Sequence, residues 1–264
     1  MRYANLLLVL PIFVMLSGCG GGGGGGGGSS VIPLENTVRQ MQAGDQWQYA
    51  VSGTIANSTQ AVPVTGTFTM IASSDTVMTP GNVTARVVLR NWTLAGNSQN
   101  FVFVDRVYVT QDALGTILDY GGFEDSAEYW ITAPTSGHIV SIPSPMSIGT
   151  SWSANVTESN GDTYNEAYTV VGTQTISVPA GRFETYKTSG NGVFSGYPAI
   201  TTDWYAPQIG SQVRSSIHAV DSTDGTTIDL DAKLTLRNRS VPQVRTGAVA
   251  RNLWEWARAA LRSP

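Results

Sequence analysis

Reactive side chains are scarce in this chain of 264 residues, which carries one cysteine, Cys19, and two histidines, His138 and His218. A single cysteine excludes an intramolecular disulfide, so the core alone must hold the fold. Two distant histidines do not supply the several His or Cys ligands of a zinc site. Charge is thin as well: charged residues make up 13%, with a formal net charge of −4. That balance lacks the basic footprint of a nucleic-acid binder. The apolar run at 6–16 is too short to cross a bilayer as a helix, which takes about 20 residues. There is no Gly-x-Ser-x-Gly elbow and no Ser-x-x-Lys, so no catalytic residue, enzymatic activity or cofactor is expected.

What is present begins at the amino end. Arg2 precedes the apolar run, which ends in Leu16-Ser17-Gly18-Cys19 and is followed by glycine from 20 to 28. A short apolar stretch behind a positive charge reads as an export signal. Leu16, Ser17 and Gly18 before Cys19 resemble the bacterial lipobox. The resemblance implies cleavage after residue 18, acylation of Cys19 and anchoring to the bilayer. An ordinary secretory signal with an incidental cysteine is the alternative. Gly20, rather than Asp, after the cysteine implies by the same resemblance the outer membrane, on its periplasmic or cell-surface face. The segment 19–32 reads as a tether, because glycine has no side chain to bury and much backbone entropy to lose. From Gly20 to Ser30 a flexible coil spans about 18 Å.

The body, 33–242, is dominated by period-2 patterning. Trp47, Tyr49, Val51 and Ile55 alternate with polar or small residues, and Ile228, Leu230, Ala232, Leu234 and Leu236 alternate with charged ones. Such alternation marks strands with one buried face. Further strands are expected at 64–72, 83–94, 101–110, 116–120, 138–142, 151–158, 163–178, 183–188, 200–205 and 213–220. A helical turn is expected at 38–42, and irregular chain over 121–147. Gly44-x-x-Trp47 and Gly149-x-x-Trp152 both open a long strand, which suggests two similar halves, about 44–120 and 149–237. In 243–264 the period changes: Val249, Leu253, Trp256 and Ala260 share a face apart from Arg251, Glu255, Arg258 and Arg262. That is an amphipathic helix, docked on the sheet or lying on anionic lipid.

Val178-Pro179-Ala180-Gly181-Arg182-Phe183 and Trp204-Tyr205-Ala206-Pro207-Gln208-Ile209-Gly210-Ser211-Gln212-Val213 resemble a "VPAGxF…WYAPxxGxV" pattern of uncharacterised bacterial envelope lipoproteins. It covers about 149–220. The resemblance implies a mainly β fold, a curled antiparallel sheet (half-barrel or β-meander) distantly like the lipoprotein carriers, here with a C-terminal amphipathic α-helix. It is silent on chemistry.

The leading expectation is a non-enzymatic lipoprotein that binds an apolar or amphipathic ligand, or an envelope partner protein, on the curled sheet. Trp47, Tyr49, Phe183 and Trp204 are its candidate lining residues, and plain core is the alternative for each. A structural lipoprotein without a pocket is the rival. A third reading uses Glu124, Asp125 and Glu128, near Tyr120, Tyr129 and Trp130, as a carbohydrate-acting carboxylate cluster. Asp221-Ser222-Thr223-Asp224-Gly225 lacks the closing Glu of a calcium loop and reads as a hairpin turn.

Overall fold

Strands with one apolar face bury it by curling that face around a shared interior. The computed structural model describes residues 30–124, 127–194, 197–239 and 253–262. Its strands are β1 (Val31–Ile32), β2 (Asp45–Ala56), β3 (Ala61–Met78), β4 (Thr84–Gly96), β5 (Gln99–Gln111), β6 (Ile117–Glu124) and β7 (Ala127–Ala133). They continue as β8 (Ile139–Ile142), β9 (Ser151–Glu158), β10 (Thr163–Val178), β11 (Gly181–Phe194), β12 (Tyr197–Ala206), β13 (Ser211–Asp221) and β14 (Thr226–Arg239). One helix follows, α1 (Leu253–Arg262).

Twelve strands form one antiparallel ring in the order β11-β10-β9-β7-β6-β5-β4-β3-β2-β14-β13-β12. The pairing of β12 with β11, from Tyr186 opposite Tyr205 to Phe194 opposite Tyr197, closes it. The expected half-barrel is thereby corrected to a closed barrel, which leaves no free edge in the ring to template aggregation. Outside the ring, β1 runs parallel to β11 and β8 flanks β6.

The two Gly-x-x-Trp motifs share one local geometry. Gly44 and Gly149 sit at φ 86° and 89°, and their N–H groups donate to Ala72 and Val170, each at 2.8 Å. Trp47 pairs across with Met70, and Trp152 with Tyr168. In both places the donor's acceptor lies two residues beyond the tryptophan's partner.

Both mouths of the barrel are covered. At one, α1 contacts the ends of several strands: Trp256 packs on Phe101 at 5.6 Å, Trp254 on Tyr197 at 4.6 Å, and Asn97 Nδ2 donates to the Ala260 carbonyl at 3.1 Å. Arg258 bonds Asp224 at 2.9 Å and also Asp221, both at the β13–β14 turn. Leu253, Trp254, Trp256, Ala257, Ala260 and Leu261 are buried, so the helix is docked. The rest of the expected helical stretch, 243–252 and 263–264, lies outside the described residues, as do the lipobox, Cys19 and the glycine run.

At the other mouth the segment 33–44 is a strap, not the expected helical turn. It runs from β11, where Leu34 N–H donates to Glu184 Oε2 at 3.0 Å, to the β5–β6 side, where Met41 N–H donates to Gln111 Oε1 at 2.7 Å. Between them Arg39 N–H donates to the Pro207 carbonyl at 3.2 Å and Val38 N–H to Ser144 Oγ at 3.0 Å. These partners sit on opposite sides of the ring, so the strap crosses the opening. These N–H groups take their acceptors from the rim rather than from a helical turn.

The segment expected to be irregular, 121–147, carries β7, β8 and the end of β6. Gly121 and Gly122, at its start, both lie within β6, where a Cβ on Gly121 would stand 2.3 Å from the Tyr129 carbonyl oxygen. Close approach of β7 at Gly121, and of the Arg106 carbonyl on β5 at 2.2 Å from a Cβ on Gly122, rather than a reversal, explains the glycines.

Candidate functional site

The interior has two unlike walls. Trp47, Tyr49, Val51, Phe68, Met70, Leu230 and Leu234, from β2, β3 and β14, are buried in one continuous apolar cluster. Across β4, β5, β6, β7, β9 and β10 the inward phase instead carries Arg90, Asp105, Asp119, Tyr129, Glu158 and Glu166, all buried. Asp203 extends this wall on β12.

Arg90 and Asp105 pair face to face across β4 and β5, with Arg90 Nε donating to Asp105 Oδ1 at 2.8 Å and Nη2 to Oδ2. The other carboxyls have weaker support. Asp119 accepts Gly121 N–H at 2.9 Å, and burial still lifts its pKa from 3.8 to about 6. Glu158 accepts Asn160 Nδ2 at 3.1 Å and is pushed up from 4.5 to about 7 by burial. Glu166 is pushed up from 4.5 to about 8, first by burial and then by repulsion from Asp119 and Glu158. On β12, burial takes Asp203 from 3.8 to about 7, against the pull of Ser215 and Gln212.

Glu166 is the sharpest case. Only 7% of it is exposed. Its chain neighbours Asn165 and Ala167 are exposed and face away by strand alternation, and no donor among the described residues meets its carboxylate. It lies beside Gly192, whose added Cβ would find Tyr168 Oη at 3.6 Å and Glu166 Oε1 at 3.9 Å. Tyr168 in turn lies flat over Gly190, its cross-strand partner, where a Cβ would come within 2.0 Å of the ring. Tyr129, Tyr164 and Tyr168 complete the wall, their phenols raised above the usual 10 by burial and then by the nearby carboxylates. Among the described residues no three His, Cys, Asp or Glu converge to hold a metal ion.

The residues expected to line a ligand are placed as follows. Trp47, Tyr49 and Phe183 are nearly inaccessible core side chains, and Tyr49 Oη bonds the Gln212 carbonyl at 3.0 Å and Ser211 Oγ at 2.5 Å. Trp204 lies between Lys187 and Arg214, at 5.6 and 4.6 Å from its ring, and donates to Gln174 Oε1 at 2.8 Å. The Glu124/Asp125/Glu128 cluster is not brought together: Glu124 points inward and is buried, while Glu128 accepts Tyr108 Oη at 3.1 Å on the outer face. Asp125 lies outside the described residues, as do Leu16, Ser17, Gly18 and Cys19. Asp221 and Asp224 hold Arg258, and no cation is needed to explain their loop. His218 Nδ1 meets Asp229 on the surface at 2.6 Å, and the His138 ring lies tilted against Tyr120 at 5.1 Å.

A separate polar cleft of about 270 Å³ opens beside the strap, lined by Gln40, Met41, Thr76, Arg86, Val109 and Gln111. Arg86 there donates to the Ser73 carbonyl at 2.8 Å.

Sequence reasoning missed the acidic wall. Its signal was present, since Glu158 continues the inward phase of Trp152, Ala154 and Val156, and Glu166 that of Tyr164, Tyr168 and Val170. A carboxylate in the apolar phase of a strand is the mark of a buried polar group.

No protein-family model matches the chain, and no curated protein matches it. Among solved structures, it is similar to a Bacteroides fragilis NCTC 9343 protein described as a "putative exported protein with YmcC-like fold". That likeness has a TM-score of 0.34 at 15% identity, over 77% of this chain and 99% of the other.

Proposed function

We propose that the chain is a non-enzymatic envelope lipoprotein, held in the outer membrane through acylated Cys19, whose barrel encloses a small amphipathic ligand. The observation that carries the ligand reading is Glu166, a buried carboxylate with no donor among the described residues, facing an interior whose opposite wall is apolar. Leaving such a group unpaired costs about 1–3 kcal/mol or more, a cost that a ligand donor would offset. The lipobox residues Leu16, Ser17 and Gly18 support the anchor, and the glycine run supports a body held clear of the headgroups. The sequence expectation put the ligand on the concave face of a curled sheet, and in a closed barrel that face is the lumen.

A structural lipoprotein with a filled interior is the second reading, favoured by the covered mouths and by the packing of Trp47, Tyr49 and Phe183. Two measurements separate these readings. Acyl-label incorporation into the full chain, but not into Cys19→Ser, is expected, and equal labelling of both would sink the anchor. Native mass spectrometry of the envelope-purified protein is expected to show a non-covalent adduct that unfolding releases. The bare mass alone would favour the structural reading.

A further inference from the structure

We infer that the lumen's acidic wall is a site for an aliphatic polyamine, with Glu166 and Glu158 as the anchoring carboxylates. This rests on the reading of the barrel as a ligand-binding compartment and adds the class of ligand. The geometry gives the charge balance. Asp105, Asp119, Glu124, Glu158, Glu166 and Asp203 face inward from β5, β6, β9, β10 and β12, against Arg90, which bonds Asp105. Asp119 accepts from Gly121 and Glu158 from Asn160, and Glu166 has no donor among the described residues. The Glu158 Oε1 atom is fully buried with no partner in hydrogen-bonding geometry, the Tyr164 hydroxyl being near enough only to pull its pKa down against burial. A cation is what this wall lacks.

The kind of cation follows from spacing. A metal ion needs converging oxygens, and these carboxyls do not converge. They are distributed along neighbouring strands, with the rings of Tyr129, Tyr164 and Tyr168 among them. A chain bearing separate ammonium groups matches that pattern, because each ammonium takes carboxylate oxygens and its methylenes lie along ring faces. The groups facing Glu166 from the packed elements are Asp119, Glu158, Tyr164, Tyr168 and Tyr129, with Arg90 and Asp105 beyond them. Of the nearest set none is cationic, so an incoming ammonium meets no repulsion there.

The test is calorimetric titration of spermidine and 1,5-diaminopentane into the full chain at about pH 8, near the value to which burial pushes Glu166. Overnight equilibration is included, since both mouths are covered. Variants Glu166→Gln and Glu158→Gln remove the anchors, and Asp231→Asn on the outer surface is the control; circular dichroism verifies that each folds. Saturable 1:1 binding is expected, weakened at least about tenfold by either lumen variant and unchanged by the control, since a bond to a charged group is being lost. Proton release on binding is expected in the wild type and reduced in Glu166→Gln. No binding by the folded wild type, equal affinity in Glu166→Gln, or equal competition by Mg²⁺ would overturn the inference. Should the folded chain refuse polyamine while an envelope-purified adduct of other chemistry exists, the polyamine fails and the compartment stands. Refusal together with a bare native mass removes both.

Discussion

Replacing Arg90 by methionine tests how the polar wall is held. Arg90 and Asp105 are 1% and 2% exposed and meet through two bonds, so the substitution strands a carboxylate in the core. Breaking a buried pair from one side costs about 3–5 kcal/mol, whereas replacing both partners with apolar groups of similar size is often neutral or stabilising. Arg90→Met is therefore expected to lose about 3–5 kcal/mol, and Arg90→Met/Asp105→Leu to recover most of it. The loss is pH-dependent in a defined direction. Burial already pushes the Asp105 carboxyl up, with Arg90 pulling it back, and Arg90 also pulls Asp119 down. Without Arg90 both rise further. A carboxyl raised in the fold contributes stability that is complete below its unfolded value and is lost as pH climbs through its folded value. The deficit of Arg90→Met should thus be larger at about pH 8 than at about pH 5. Urea denaturation of the three proteins at both pH values reads it. A double variant no more stable than the worse single, or a deficit that shrinks with rising pH, would refute the reasoning.

Other substitutions probe the mouth and the close packing. Arg258→Ala removes the partner of Asp221, which is fully buried, and is expected to cost about 1–3 kcal/mol and to red-shift the emission of Trp254 and Trp256 as α1 leaves the mouth. The side-chain bond from Arg258 lowers Asp224 from 3.8 to about 2, so this contribution is present above pH about 4 and fades as pH falls through about 2; acid titration of tryptophan emission checks it. Gly190→Ala places a methyl 2.0 Å from the Tyr168 ring and should destabilise by about 1–3 kcal/mol through overpacking. Thermal unfolding of Gly190→Ala beside Gly190→Ala/Tyr168→Leu measures it, with the double variant expected to regain part of the loss.

Local pattern carried much of the fold. The alternation of Trp47, Tyr49, Val51 and Ile55, or of Ile228 to Leu234, states which face is buried whatever that face packs against. Closure was not legible, because it needs β14 to pair with β2 from the other end of the body, which depends on the summed curl of the whole sheet rather than on any one strand. The strap was misread because short apolar spacing in Val38 and Met41 suits a helical turn as well as an extended segment tacked to a rim. For the site, aromatic residues drew notice as ligand-lining while carboxylates were sought in loops. Glu158 and Glu166 sit instead in the buried phase of two paired strands, and their mutual proximity exists only after β9 and β10 align.

The central claim is that Glu166 faces a desolvated interior without a donor of its own. The most direct measurement is the unfolding free energy of the ligand-free chain and of Glu166→Gln between about pH 4 and pH 8. With a carboxyl raised from 4.5 to about 8, the wild type should lose about 4 kcal/mol over that range from this group alone. Glu166→Gln should show a clearly flatter profile and be the more stable protein at the alkaline end. Parallel profiles, or a wild type that gains stability toward alkaline pH relative to the variant, would contradict the account.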